Sequence, residues 1–298
     1  MNFSITGIDI VNRKNNFSID DIPGSIKTAF RDSDTKIDNK NCRTVGIFIG
    51  TTFHNSDTRR DNTDNYRKGG VRIVNPADFP RCLISYLGGH LSGTFNLKGA
   101  NSTMSSGISS GFDALIQAAY FVEQTKRNKA LVVELEEKVS EDLKCVLGGS
   151  ACLVIENKAG TAKKDNNIYG DILAIESFFE REGKNSSLAK AIGKVLEKSR
   201  LNLRDIDYIF IPEKPKTAPY SPEENTLKEF SNLSNIEPPY RLFKIAGHNK
   251  GLFMIANILK NMDFAAYPEK KPIISLFLSL GKDSNSSSAV IKIYRGGR

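Results

Sequence analysis

NPADFPRCLISYLGGHLSGTFNLKGANSTMSSGISSGFDALIQAAYFV, residues 75–122, is the stretch on which the reading of this chain turns. Its second half reads as a short strand over 101–106, a small-residue turn, and a helix from Ile108 with Phe112, Leu115, Ile116, Ala119 and Val122 at helical spacing. Gly107-Ile108-Ser109-Ser110-Gly111 also satisfies G-x-S-x-G, the serine nucleophile elbow, in which a sharp strand-to-helix turn presents a hydroxyl. His248 follows in chain order with Asp205 and Asp207 between, so Ser109 and His248 are a candidate pair for a serine acyltransferase or hydrolase. The pattern is short, and Ser and Gly are common, so it also arises by chance. In the first half, Asn75 as cap and Pro76 in the first turn predict a helix with Phe79, Leu83, Tyr86 and Leu87 on one face, ended by Gly88 and Gly89.

Outward from this stretch, apolar runs predict strands at 3–11, 43–53, 130–137, 150–156, 168–180, 207–212, 272–281 and 288–296. Helical spacing marks 186–201, 221–233 and 250–262; residues 12–41 read as loop with one short helix, and the charged stretch 56–70 as loop. Strands and helices alternate, so the class is α/β with mixed sheets covered on both faces. The order is loosely repeated on either side of GTAKKDNN (160–167), which predicts two similar halves, 1–160 and 161–298, packed as one compact unit.

The bulk composition excludes several classes. The chain has 298 residues, 39% apolar and 26% charged, an ordinary globular balance. No apolar run is long enough to span a bilayer and MNFSITGIDIVNRKNN lacks a signal peptide's pattern, so no membrane association and a cytoplasmic location are expected. Cys42, Cys82, Cys145 and Cys152 show no C-x-x-C spacing and read as reduced thiols, Cys82 and Cys152 in apolar runs that predict core packing; neither metal nor cofactor is expected. The net charge of +8 favours an anionic partner. Lysine is spread along the chain and no nucleic-acid-binding motif is present, so nucleic acid is not the expected partner.

The wider stretch resembles the N-terminal half of the β-ketoacyl synthases, condensing enzymes of the thiolase fold. The resemblance lies in Asn75-Pro76 followed by Phe79-Pro80, the turn Gly88-Gly89-His90-Leu91-Ser92, Leu97-Lys98-Gly99-Ala100-Asn101, and Asp113-Ala114 on the following helix. GGSACLVIE (148–156) resembles a later family segment; the likeness is specific from about Val45 to Glu156 and loose beyond. It implies a five-layered αβαβα arrangement.

The same resemblance places Ile108 where the family carries its nucleophilic cysteine in Ala-Cys-Ala-Ser-Gly. The family's His-Gly-Thr-Gly-Thr loop falls on Glu213-Lys214-Pro215-Lys216-Thr217, so Glu213 stands for the first catalytic histidine, while His248 retains the second. The family's lysine falls on Phe243, beside Lys244, and its terminal glycine loop on Ser279 to Asn285. A sec-butyl group cannot accept an acyl chain, and an anionic glutamate would repel an enolate. The resemblance therefore implies a degenerate, chain-length-factor-like subunit. Such a subunit makes no bond itself and completes the acyl tunnel of a cysteine-bearing ketosynthase in a heterodimer of a bacterial type II polyketide or aryl polyene system. Tunnel and interface candidates are Asn101, Thr103, Ser105, Ile108, Phe112 and Ile116. Arg59, Arg60, Arg67, Lys68 and Arg72 form the densest basic stretch and are candidates for docking an acidic acyl carrier protein. The chain lacks most of the family's insertion before Arg43 and of its segment between Glu137 and Gly148. A silent homodimeric acyl-binding protein is a further alternative.

Overall fold

The computed structural model describes residues 3–12, 17, 19–52, 56–136, 148–161, 168–179, 184–212, 226, 241–245, 251–262, 272–280 and 285–294. In chain order the elements are β1 (Phe3–Asn12), α1 (Ile22–Asp32), β2 (Val45–Thr51), α2 (Ser56–Gly69), α3 (Ser85–Thr94), β3 (Asn101–Met104), α4 (Ser110–Gln124), β4 (Lys129–Glu136) and β5 (Gly149–Asn157). They continue with α5 (Lys158–Thr161), β6 (Gly170–Phe179), α6 (Lys184–Ser199), β7 (Tyr208–Pro212), β8 (Arg241–Ile245), α7 (Gly251–Asn261), β9 (Ile273–Leu280) and β10 (Asn285–Ile293).

The strands form one mixed sheet in the order β3-β2-β4-β5-β1-β6-β10-β9-β7-β8. Read outward from the central β1/β6 contact, both sides have the same order. Each side runs through two antiparallel strands to a parallel pair and ends on a short parallel edge strand. The seam itself is narrow: β1 and β6 pair only through Phe3↔Ile172, Ser4↔Asp171 and Ile5↔Gly170.

Three apolar clusters resolve five layers. On β4, Ala130 and Val132 face one cluster while Leu131, Val133 and Leu135 face another, so the strand is buried on both faces. The outer cluster of the first half joins Ile22, Ile26 and Phe30 of α1, and Leu87 and Leu91 of α3, to that sheet face. The outer cluster of the second half joins Leu188, Ile192 and Val195 of α6 to Leu276, Leu278 and Val290. The central cluster lies between the halves and is filled by α4 and α7, with Phe3, Ile5 and Phe48 on one side and Phe210, Phe277 and Ile291 on the other. The layers are therefore helices, sheet, α4 with α7, sheet, helix, the expected αβαβα arrangement.

Four local expectations are corrected. The stretch expected as loop, 56–70, is helical from Ser56 to Gly69 as α2. It is polar on all sides, so it carries no apolar periodicity; an Asp64–Arg67 pair at 3.8 Å and a Thr63 hydroxyl donating to the Arg59 carbonyl support it locally. The helix expected from Asn75 does not form as one element. Asn75 caps only a turn, accepting from the Ala77 N–H; Pro80 brings no N–H and a short 3-10 turn follows at Pro80–Cys82. Phe79 and Leu83 are consequently exposed at 62% and 48%. Gly88 and Gly89 do not end a helix but lie inside α3; a Cβ on Gly88 would stand 2.2 Å from Asn101 Oδ1, so the glycine lets α3 approach β3. Cys82 is only half-buried, its sulfur taken by Asn62 Nδ2 and the Asp78 carbonyl, whereas Cys152 is fully buried and burial pushes its thiol up to about 12.

The first turns of α4 and α7 meet with no room to spare: a Cβ on Gly251 would stand 1.8 Å from the Phe112 ring. Gly251→Ala is expected to cost about 1–3 kcal/mol by overpacking, and Phe112→Ala about 3–5 kcal/mol by emptying the same site, both read from urea unfolding. At the seam, Asp171 accepts from Ser4 Oγ and Lys158 Nζ at 2.6 Å and from Tyr294 OH at 2.5 Å. Burial pushes its carboxyl up, but these hydrogen bonds and the Lys158 charge outweigh burial and hold it below the usual carboxylate range. A depressed folded-state value stabilises the protein above about pH 4 and stops doing so as the pH falls through that value. The melting temperature should therefore fall below about pH 4, and Asp171→Asn should both lower it at neutral pH and flatten that acid limb.

Candidate functional site

The site is the turn between β3 and α4 and the strand ends around it. After β3 the chain passes Ser105 and Ser106 into a short 3-10 turn at Gly107–Ser109, entered at Gly107 with φ +75°. Gly107 can take this left-handed conformation because it has no Cβ. Ser110 ties the turn down: its hydroxyl lies 2.6 Å from the Gly107 carbonyl and 3.1 Å from that of Thr51, and accepts from the Ser106 N–H at 3.0 Å. Thr52 Oγ1 donates to the Gly107 carbonyl at 3.0 Å, and the Ser106 hydroxyl donates to Asp113 in the first turn of α4.

Ser109 is not built as an elbow nucleophile. It has ordinary helical dihedrals (φ −81°, ψ −3°), is 0% exposed, and its hydroxyl has no hydrogen-bond partner among the described residues. An elbow serine needs a strained turn that lifts its oxygen into the open. Its expected partner His248 lies outside the described residues, as do Glu213 and residues 281–284 of the terminal loop.

Beneath the turn lies a feature the sequence reading missed. Glu134 and Glu136, alternate residues on β4, occupy the face that Ala130 and Val132 turn toward the central layer, and both are 0% exposed. Glu134 Oε2 accepts from the N–H groups of Leu252 and Phe253 at 3.0 and 3.1 Å, the first turn of α7. The same carboxyl lies against the first turn of α4, where a Cβ on Gly111 would stand 2.6 Å from Glu134 Cδ. Glu136 Oε1 accepts from the Thr52 N–H at 2.8 Å. One carboxylate therefore sits between the starts of both central helices, and a second is one residue removed from the Gly107 turn. The run ALVVELE (130–136) carried a signal for this, two acids at the end of an otherwise apolar buried strand.

The other candidates are dispersed. Among the described residues β3 is an edge strand, paired only with β2. On it, Asn101 is exposed and donates to Ser92 Oγ at 3.0 Å, while Thr103 is half-buried. Ser105, just beyond the strand, is exposed. Phe112 is fully buried against Gly251, so the structure gives it a packing role in the central layer; Ile116 is half-buried beside the same cluster. Arg59, Arg60, Arg67 and Lys68 on α2, and Arg72 after it, are all exposed. Among the described residues there is no group of three or more His, Cys, Asp or Glu able to hold a metal ion, and no helix long and apolar enough to cross a membrane.

Comparison with known proteins agrees with this geometry. Residues 25–142 match the family model of the β-ketoacyl synthase N-terminal domain. The curated 3-oxoacyl-[acyl-carrier-protein] synthase 2 of Coxiella burnetii (strain RSA 493 / Nine Mile phase I) is 24% identical over 179 residues. That alignment covers 50% of this chain and 43% of the relative, so the chain matches less than half of its length. The fold is that of an ishigamide ketosynthase/chain length factor (TM-score 0.73, 16% identity, 99% of this chain and 100% of that one). It is also that of AntDE:AntF, a type II acyl carrier protein in complex with its hexaketide-bound ketosynthase (TM-score 0.78, 14% identity, 98% and 99% covered). A β-ketoacyl synthase from Burkholderia phymatum STM815 superposes equally well (TM-score 0.77, 13% identity, 99% and 100% covered). Residues 25–142 thus match the N-terminal domain of the β-ketoacyl synthases, and the layers throughout the described residues have the fold of ketosynthases.

Proposed function

We propose that this chain is a non-catalytic, chain-length-factor-like subunit that pairs with a cysteine-bearing β-ketoacyl synthase in a type II polyketide system of the aryl polyene kind. The observation that carries this reading is Ile108 in the 3-10 turn that opens α4, the place the family correspondence reserves for the nucleophile. A condensing enzyme needs a thiolate there, helped by the positive end of the helix. Here a hydrocarbon takes the place of sulfur, and Glu134 and Asp113 already occupy the neighbourhood of the helix start.

Two features support a partner subunit. Among the described residues the edge strand β3 pairs on one side only, the condition under which a second chain extends a sheet. Condensing enzymes dimerise through this strand and the helix after it, and Tyr120 on α4 is 50% exposed. The structural neighbours include a ketosynthase/chain length factor and a ketosynthase bound to its carrier protein, which supports the same two partners for this chain. In such a complex Ile108 and Ile116 would line the acyl tunnel, and the exposed arginines of α2 would speed encounter with an acidic carrier protein.

Co-expression with the cysteine-bearing ketosynthase encoded beside it should give a stable complex with one copy of each chain by native mass spectrometry; a homodimer that ignores the ketosynthase overturns the reading. Within that complex, Ile108→Trp should shorten or abolish the polyketide product while leaving the complex assembled. Reversing the charge of Arg59 and Arg60 should slow carrier-protein association about tenfold at low salt and reduce its salt dependence, measured by surface binding kinetics. A fluorophosphonate probe should leave Ser109 unlabelled by peptide mapping.

A further inference from the structure

Loss of the thiol alone does not account for Glu134 and Glu136. In the central layer the first turn of α7 aims the Leu252 and Phe253 N–H groups at Glu134, and the first turn of α4 passes against the same carboxyl at Gly111, so the positive ends of two helices lie beside one point. That point is where an anion would be stabilised, and it is filled from within the chain. Glu134 holds the Leu252 and Phe253 N–H groups and abuts Gly111, while Glu136 is linked through Thr52 to the Gly107 carbonyl. Residue 108 lies in the turn between those two anchor points. Asp113, one turn into α4 and hydrogen-bonded by Ser106, adds a third carboxylate from the helix itself.

We propose that Glu134 and Glu136 are positioning residues that occupy the anion-stabilising focus of the two central helices, so that the turn at 107–109 is set against a thiolate or oxyanion whatever residue stands at 108. The inference rests on the proposed reading in one respect, the correspondence that puts Ile108 at the nucleophile position. Its consequence differs from that of a simple missing cysteine. If the sulfur were all that had been lost, Ile108→Cys would regenerate an acidic, acyl-accepting thiol at a helix start. With the carboxylates in place, the new thiol instead stays protonated at neutral pH.

The test is the ionisation of that thiol. Ile108→Cys, Ile108→Cys/Glu134→Gln and Ile108→Cys/Glu136→Gln are purified as full chains. Thiolate ultraviolet absorbance is followed against pH, as the difference from the parent protein, together with the pH profile of iodoacetamide alkylation at position 108 by peptide mass. In Ile108→Cys the thiol is expected to titrate at or above the ordinary value of about 8.5. Glu134→Gln should lower that midpoint by about one unit, giving about tenfold more thiolate at pH 7, and Glu136→Gln should lower it by less. A purely structural role for the glutamates would alter the melting temperature without moving the midpoint. An Ile108→Cys thiol that is already acidic, or a midpoint that neither glutamine substitution lowers, overturns the proposal. If Glu134→Gln fails to fold, the Glu136→Gln arm still decides. The measurement needs no ketosynthase, so failure of the heterodimer reading would appear in the mass of the complex and not here.

Discussion

The structure is organised around a single buried carboxylate. Glu134 lies at the end of β4, faces the layer between the two halves of the sheet, and accepts from the backbone N–H groups that α7 cannot satisfy within its own first turn. A buried carboxylate is costly unless it is hydrogen-bonded, and a helix start buried without an acceptor is costly too; placed together, each resolves the other's penalty. The two charge-assisted hydrogen bonds contribute on the order of 1.5–3 kcal/mol each. They also fix a distance. With Gly111 on one side and the Phe112–Gly251 contact on the other, the carboxylate sets how closely the first turns of α4 and α7 can approach, and both sheet faces pack on those helices.

The narrow seam between the halves is held by polar groups as well as by the sheet. Asp171 gathers Ser4 from β1, Lys158 from α5 and Tyr294 after β10. Tyr169 reaches across to Asp32 at the end of α1, whose other oxygen accepts from the Ile8 N–H. At the far side of the central layer, Lys260 near the end of α7 binds Asp9 of β1, a cation at the negative end of a helix. α7 is thus anchored at its start by a carboxylate from β4 and at its finish to one from β1. That leaves little freedom in the layer on which the turn at 107–109 is built.

Strand positions were legible because both faces of the strands are buried, so ALVV at the start of β4 and ACLVI in β5 are continuous apolar runs. Helices α4, α6 and α7 were legible from their period of apolar residues, each packing a broad face on a sheet. α2 was not, since a helix polar on every side carries no period. The expected helix from Asn75 failed at Pro80, where a missing N–H outweighed the spacing of Phe79, Leu83 and Leu87. At the site, Ile108, Asn101 and Phe112 could be named from the resemblance, but the segments that carry it lie outside β4, so they did not point to Glu134.

By itself the sequence determined the alternation of strands and helices, the apolar faces and the absence of sulfur at position 108, because these depend on residue type and spacing along the chain. Tertiary structure alone decided what surrounds that position. Glu134 and Leu252 are separated by 118 residues, and only the stacking of the layers brings the carboxylate of one to the backbone N–H of the other. It also decided that Ser109, which satisfies a nucleophile's motif in one dimension, is enclosed, its hydroxyl unpaired among the described residues. Local spacing records which residues are neighbours in the chain, whereas electrostatic environment depends on which are neighbours in space.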